Sequence, residues 1–147
     1  MISFFEQFDQ AFRRQMQTHG ISILRVALGI VYIWFGLLKV LGVSPVATLL
    51  SQTYSFFPQK ELLLILGVWE VAIGLGLVFN KLIRLVLASF WLQMAGILFT
   101  PFLAPTTFFT HSNPLLLTLN GEFVVKNLVL IAASIVIGGH FAKEKLK

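Results

Sequence analysis

Cysteine is absent from this 147-residue chain. That excludes a thiol–disulfide mechanism carried by the chain itself, and any thiolate-bound metal or iron–sulfur cluster. Charge is the next scarcity: Asp, Glu, Lys and Arg make up 12% of the residues, against roughly 25% in an ordinary soluble domain. Acids number six against eleven bases, giving a formal charge of +5. A basic balance can accompany nucleic-acid binding, but here the bases are spread along the chain and sit at the ends of apolar runs rather than in one patch. No nucleic-acid partner is expected.

What fills the space left by charge is apolar. Hydrophobic residues make up 57% of the chain and the mean hydropathy is +0.88. Four long runs, about 21–41, 62–79, 83–103 and 122–139, each approach the length that crosses a bilayer as a helix, about 20 residues. They are continuous rather than alternating, so helices and not barrel strands are predicted, since backbone polar groups in lipid must be satisfied inside a helix or a closed barrel. The expected fold is an all-α membrane protein: one domain over residues 1–147, built as an antiparallel bundle of four transmembrane helices. No internal repeat is evident. The first run is a poor signal peptide, because about 20 residues precede it, it holds Lys39 and no small-x-small site follows. It is expected to be retained.

The distribution of bases sets an orientation. Arg13, Arg14, Arg25, Lys81, Arg84, Lys143, Lys145 and Lys147 fall on one side of a four-span chain, and only Lys39, Lys60 and Lys126 towards the other. Positive residues favour the cytoplasmic side, so both termini are expected there, with the chain in a bacterial inner membrane. Ahead of the first span, Phe5, Phe8, Phe12 and Met16 recur at helical spacing with Arg13 and Arg14 alongside. This pattern predicts an amphipathic interfacial helix over residues 1–20, a partly ordered tail being the alternative. Tyr54, Phe56 and Phe57 suit an interfacial belt. The stretch Thr100–Gly121 is long, apolar and interrupted by Pro101, Pro105 and Pro114. It reads as a lid over the bundle mouth rather than a free loop.

Polar and small residues fall on stripes, since positions three, four, seven and eleven apart share a helix face. The first segment aligns Arg25, Gly29, Tyr32, Gly36 and Lys39, and the second Gly67, Glu70 and Gly74. The third aligns Ser89, Gln93, Gly96 and Thr100, and the fourth Glu122, Lys126, Val129 and Ala133. Small residues allow close helix approach and buried polar groups bond across helices. Convergence of the stripes predicts an outer-half polar pocket lined by Lys39, Glu70, Gln93, Glu122, Lys126 and Asn127, with Arg25, Tyr32 and His111 as accessory residues. Lys126 is placed roughly 6 Å deeper than Glu122 by helical rise, within reach of Glu70.

Plainer readings stand beside these. Glu122 and Lys126 have the spacing of an i,i+4 surface pair, and Lys126 with Glu70 that of a structural ion pair setting helix register. Lys39 suits a snorkelling anchor. Trp34, Trp69 and Trp91 suit packing or the belt, and His19 and His140 lie too near the helix ends for a haem. No metal site is expected.

Leu24–Lys39, L-R-V-A-L-G-I-V-Y-I-W-F-G-L-L-K, resembles the first-helix signature of the DoxX-like family of bacterial inner-membrane proteins. Gly67–Leu77, G-V-W-E-V-A-I-G-L-G-L, is similar to that family's second-helix segment. N-G-E-F-V-V-K-N-L-V-L-I-A-A-S, from Asn120 to Ser134, resembles the G-x-F-x-x-K-[DN]-L motif of a neighbouring inner-membrane family. The resemblance implies a four-helix bundle associated with quinone-linked or oxidant-related redox assemblies. Its motifs fall on Arg25, Gly36, Lys39, Glu70, Gly74, Glu122, Lys126 and Asn127.

Three functions follow as expectations. The pocket binds a small lipophilic molecule with a polar head, a quinone leading, in a redox subunit served by a soluble partner. Or the polar interior conducts a small solute or proton, which four helices achieve only as a homo-oligomer. Or the ion pairs specify packing in a non-catalytic scaffold. Enzymatic activity is left open by the residues.

Overall fold

The structure, a computed structural model, describes residues 4–54, 58–110, 113 and 115–144. Phe56, Phe57 and His111, named above for the belt and the pocket, lie outside the described residues. The elements are α1 (Phe4–Val40), α2 (Ala47–Thr53), α3 (Gln59–Phe79), α4 (Ile83–Leu103), α5 (Pro105–Phe108) and α6 (Leu119–Glu144). Among the described residues no strand forms; an isolated antiparallel bridge joins Phe109 to Leu117. Four helices, α1, α3, α4 and α6, are long and apolar enough to cross a membrane. The chain is an all-α, four-helix, multi-pass membrane protein.

The segment expected as a separate interfacial helix is not separate. Helix α1 runs unbroken for 37 residues, about 55 Å at ~1.5 Å per residue, well beyond a hydrocarbon core of ~30 Å. A lone glycine at 20 costs a helix only about 1 kcal/mol against alanine, too little to interrupt it. Asp9 and Arg13 pair one turn apart at 2.8 Å on this extension, and Phe5, Phe8, Phe12 and Met16 are exposed along it.

Helix α1 ends where Gly42 adopts a positive φ of 71°. The Gly42 and Val43 amides donate back to the carbonyls of Lys39 and Leu38 at 3.0 Å each, the Schellman closure that a left-handed residue permits. That stop places Lys39 in the last turn of α1. Helix α3 closes the same way through Asn80, with φ 55°, and the short turn returns the chain into α4.

Helices α1 and α3 make the most extensive pairing in the bundle. Their glycines meet reciprocally: a Cβ on Gly36 would lie 2.7 Å from the Gly67 carbonyl oxygen, and one on Gly67 2.7 Å from that of Gly36. A second crossing, Gly29 against Gly74, is as tight at 2.8 and 2.6 Å. Residues rise on one helix as they fall on the other, so the pair is antiparallel. With lipid as apolar as leucine, such backbone contact and the dispersion it permits hold helices together, rather than water exclusion. Leu28, Tyr32, Ile73, Leu77, Val86, Phe90, Met94 and Ile137 form the main core. A smaller cluster of Leu49, Phe108 and Val124 joins α2, α5 and α6 at the end of the bundle that carries Lys39.

The proline-broken stretch between α4 and α6 is ordered over its described residues. Thr118 donates through Oγ1 to the Thr107 carbonyl at 2.7 Å, its amide bonds Phe108 at 3.0 Å, and the Thr110 amide bonds Leu116 at 2.7 Å. Phe108 is fully buried beneath it. Phe108 packs there against Leu49 of α2 and Val124 of α6.

Candidate functional site

Three helices meet at a buried carboxylate. Glu70 of α3 accepts from Lys39 Nζ of α1 at 2.5 Å on Oε2, and from Gln93 Nε2 of α4 at 2.7 Å on Oε1. All three side chains are buried. The glycine crossing at Gly36 and Gly67 positions the pair: Lys39 lies three residues beyond Gly36, Glu70 three beyond Gly67, on helices held at backbone contact. A charge stranded in lipid costs at least ~2.5–3.5 kcal/mol on insertion scales. Here each charge has the other, and Gln93 satisfies the remaining carboxylate oxygen.

The triad borders a cavity of about 560 Å³. Tyr32 and Phe35 of α1, Leu49 and Leu50 of α2, Leu62 and Leu66 of α3, Met94 and Ile97 of α4, and Phe123, Val124 and Leu130 of α6 supply its apolar walls. Lys39, Glu70, Gln93, Thr100, Lys126 and Asn127 supply its polar points. Small-molecule sites have this build, with apolar walls, few polar anchors and volumes of ~300–1,000 Å³. Tyr32 packs its ring against Phe90 at a centroid distance of 5.3 Å. Its hydroxyl has no hydrogen-bond partner, nor has Oε1 of Gln93, and both atoms are buried. Asn127 is buried too, and its amide nitrogen donates to the Phe123 carbonyl one turn back at 3.0 Å.

The residues expected in the pocket therefore divide. Lys39, Glu70 and Gln93 are brought into direct contact, and Tyr32 and Asn127 join them on the cavity wall. Lys126 does not reach Glu70. It pairs with Glu122 at 3.6 Å, and both side chains are exposed. Lys126 still borders the cavity, whereas Glu122 does not. The face of α6 turned inward carries Gly121, Val124, Asn127, Ser134 and Ile137, so the stripe drawn through residues 122, 126, 129 and 133 was displaced around the helix. The physical reason is competition: Glu70 has two oxygens, Lys39 of α1 and Gln93 of α4 occupy both, and a second cation on α6 gains more from Glu122 than from burial.

Arg25 is not part of this site. It lies fourteen residues from Lys39 on α1, about 21 Å by helical rise. Its guanidinium donates to the carbonyls of Leu77 and, at 3.0 Å, Val78. A cation at the last carbonyls of α3 suits the helix dipole and satisfies two of its terminal acceptors.

Helix α2 was missed in the sequence, and with it Leu49, Leu50 and Thr53 on the cavity wall. Its signal is Ser44-Pro45 just before the Val46 N-cap, where the serine Oγ accepts from the Val46 amide at 3.3 Å in the turn that enters the helix. Among the described residues no group of three or more His, Asp or Glu side chains is gathered as for a metal. Compared with family models, curated proteins and solved structures, the chain matches none.

Proposed function

We propose that the cavity beside Lys39, Glu70 and Gln93 binds a small lipophilic molecule with a polar head, a quinone-type ring being the leading candidate. The observation that carries this reading is the conjunction of an apolar chamber of about 560 Å³ with buried polar atoms on residues of its wall that the protein leaves unpartnered. A merely structural triad has no need of a chamber beside it. An unmet buried acceptor or donor costs ~1–3 kcal/mol, which an occupant with a matching group recovers.

In this reading Glu70 is no proton carrier. Both its oxygens are occupied, so it positions Lys39 and Gln93. The ligand's head meets Gln93, Tyr32 and the remaining ammonium hydrogens of Lys39, while its ring and tail lie among Phe35, Leu66, Ile97 and Phe123. With the termini in the cytoplasm, the cavity lies in the outer half of a bacterial inner membrane. The resemblance to DoxX-like proteins supports placing the chain as a membrane subunit of a redox or oxidant-related assembly whose redox centre belongs to a soluble partner. A scaffold is the competing reading, favoured by the full satisfaction of Glu70 within the protein.

Purification in native lipid followed by mass spectrometry of extracted lipophiles separates the two. Binding requires a quinone or related amphiphile enriched over an unrelated four-helix membrane protein, and loss of that enrichment in the cavity-filling variant Leu66→Trp. No enriched species in the wild type leaves the scaffold reading standing.

A further inference from the structure

Resting on the reading of the cavity as a ligand site, we infer that the site selects a head group that donates a hydrogen bond: a phenolic hydroxyl, as in a quinol, in preference to a carbonyl-only quinone. The inference begins with the orientation of one amide. Glu70 forms an ion pair with Lys39 Nζ at 2.5 Å, and in that pair its carboxylate oxygens accept. Gln93 must therefore turn its NH₂ towards Glu70, as it does at 2.7 Å. The flipped amide would set oxygen against oxygen. Chemistry thus assigns which way this side chain points, and it leaves Oε1 as an acceptor with no donor.

On α6 one N–H of Asn127 donates to the Phe123 carbonyl, and its amide oxygen is a further acceptor on a residue of the wall. The hydroxyl of Tyr32, another residue of the cavity wall, is also without a partner. Gln93 and Tyr32 are 6% and 5% exposed, so bulk water does not complete either. A ligand carbonyl accepts from Tyr32 or Lys39 but leaves the Gln93 oxygen unmet. A ligand hydroxyl accepts from Tyr32 or Lys39 and also donates to Gln93. Sites built to bond a hydroxyl discriminate strongly against analogues lacking it, because the protein's own buried group is then left unpaired.

The test is equilibrium binding to the full chain in lipid nanodiscs, without oxygen, using a short-chain alkyl benzoquinol and its quinone. A redox-inert pair, an alkylphenol and its methyl ether, is measured beside them. The quinol and the phenol are expected to bind roughly tenfold tighter than the quinone and the ether. Gln93→Leu should bring each pair within about twofold. Tyr32→Phe, which removes an atom already unpartnered and so spares the fold, should weaken all the ligands that bind and keep the preference for the hydroxyl. Equal or reversed affinities in the wild type overturn the hydroxyl preference while leaving the cavity as a ligand site. A preference that survives intact in folded Gln93→Leu overturns its assignment to Gln93. Binding of none of the four overturns both the preference and the ligand site.

Discussion

Glu70 is the residue on which the bundle's polar interior turns. Its two oxygens are shared between a cation on one helix and an amide on another, so removing a single partner leaves a buried group uncompensated. Breaking one side of a buried ion pair costs about 3–5 kcal/mol, whereas replacing both sides with apolar groups is often neutral. Lys39→Met and Glu70→Leu should each lower thermal stability in detergent sharply, and the double variant should lose much less than their sum. Unfolding followed by tryptophan fluorescence measures this, and strict additivity would mean that the two side chains are uncoupled. Lys126→Ala should behave differently. Its partner Glu122 is 3.6 Å away and both are exposed, so the loss should stay under about 1 kcal/mol; a drop as large as that of Lys39→Met would place Lys126 in the buried network after all.

At the scale of elements, the α1–α3 pair depends on backbone contact at glycine. Gly67→Ala would drive a methyl to 2.9 Å from Lys39 Cβ and 2.7 Å from the Gly36 carbonyl, and overpacking of that kind costs about 1–3 kcal/mol. Gly96→Ala, with nothing within 4 Å of the new methyl, should be neutral or gain up to about 1 kcal/mol of helix propensity. Melting temperatures of the two variants give the contrast, and equal losses would contradict the close packing. Much of this was legible in the sequence, because Gly29, Gly36, Gly67 and Gly74 fall on stripes with Lys39 and Glu70, and small residues next to charge in an apolar run have few other reasons to align. The four apolar runs were legible as stretches of uniform hydropathy, but the start of α1 at Phe4 was not. The inward face of α6 was not. Glu122 and Lys126 carry the strongest polar signal there, but an exposed i,i+4 pair needs no interior, and the weaker signal of Asn127 and Ser134 marked the buried side. Periodicity gives the angle between residues on a helix, not which angle faces in. Nor could pairing choice be read: the sequence placed Lys126 within reach of Glu70 and suited Lys39 to a snorkelling anchor, whereas the glycine contact decides for Lys39.

For the molecule as a whole, four helices are long and apolar enough to span a membrane, and the proposed orientation with both termini in the cytoplasm rests on the weight of Lys and Arg. Reporter fusions at each terminus, one active only in the cytoplasm and one only outside it, should both report the cytoplasm; opposite reports from the two ends would contradict the four-span topology itself. In that orientation the cavity, α2 and α5 all lie towards the outer surface. The cavity's function is tested most directly by an experimental map of the protein in native lipid, read between Lys39, Gln93 and Asn127. The expected result is density in the chamber, with a polar head about 3 Å from Gln93 Oε1 and an apolar tail along Leu66 and Ile97. A chamber closed by Phe35, Leu49 and Leu50 repacked onto an unchanged Lys39–Glu70–Gln93 triad would contradict the ligand site and leave the triad as scaffold alone.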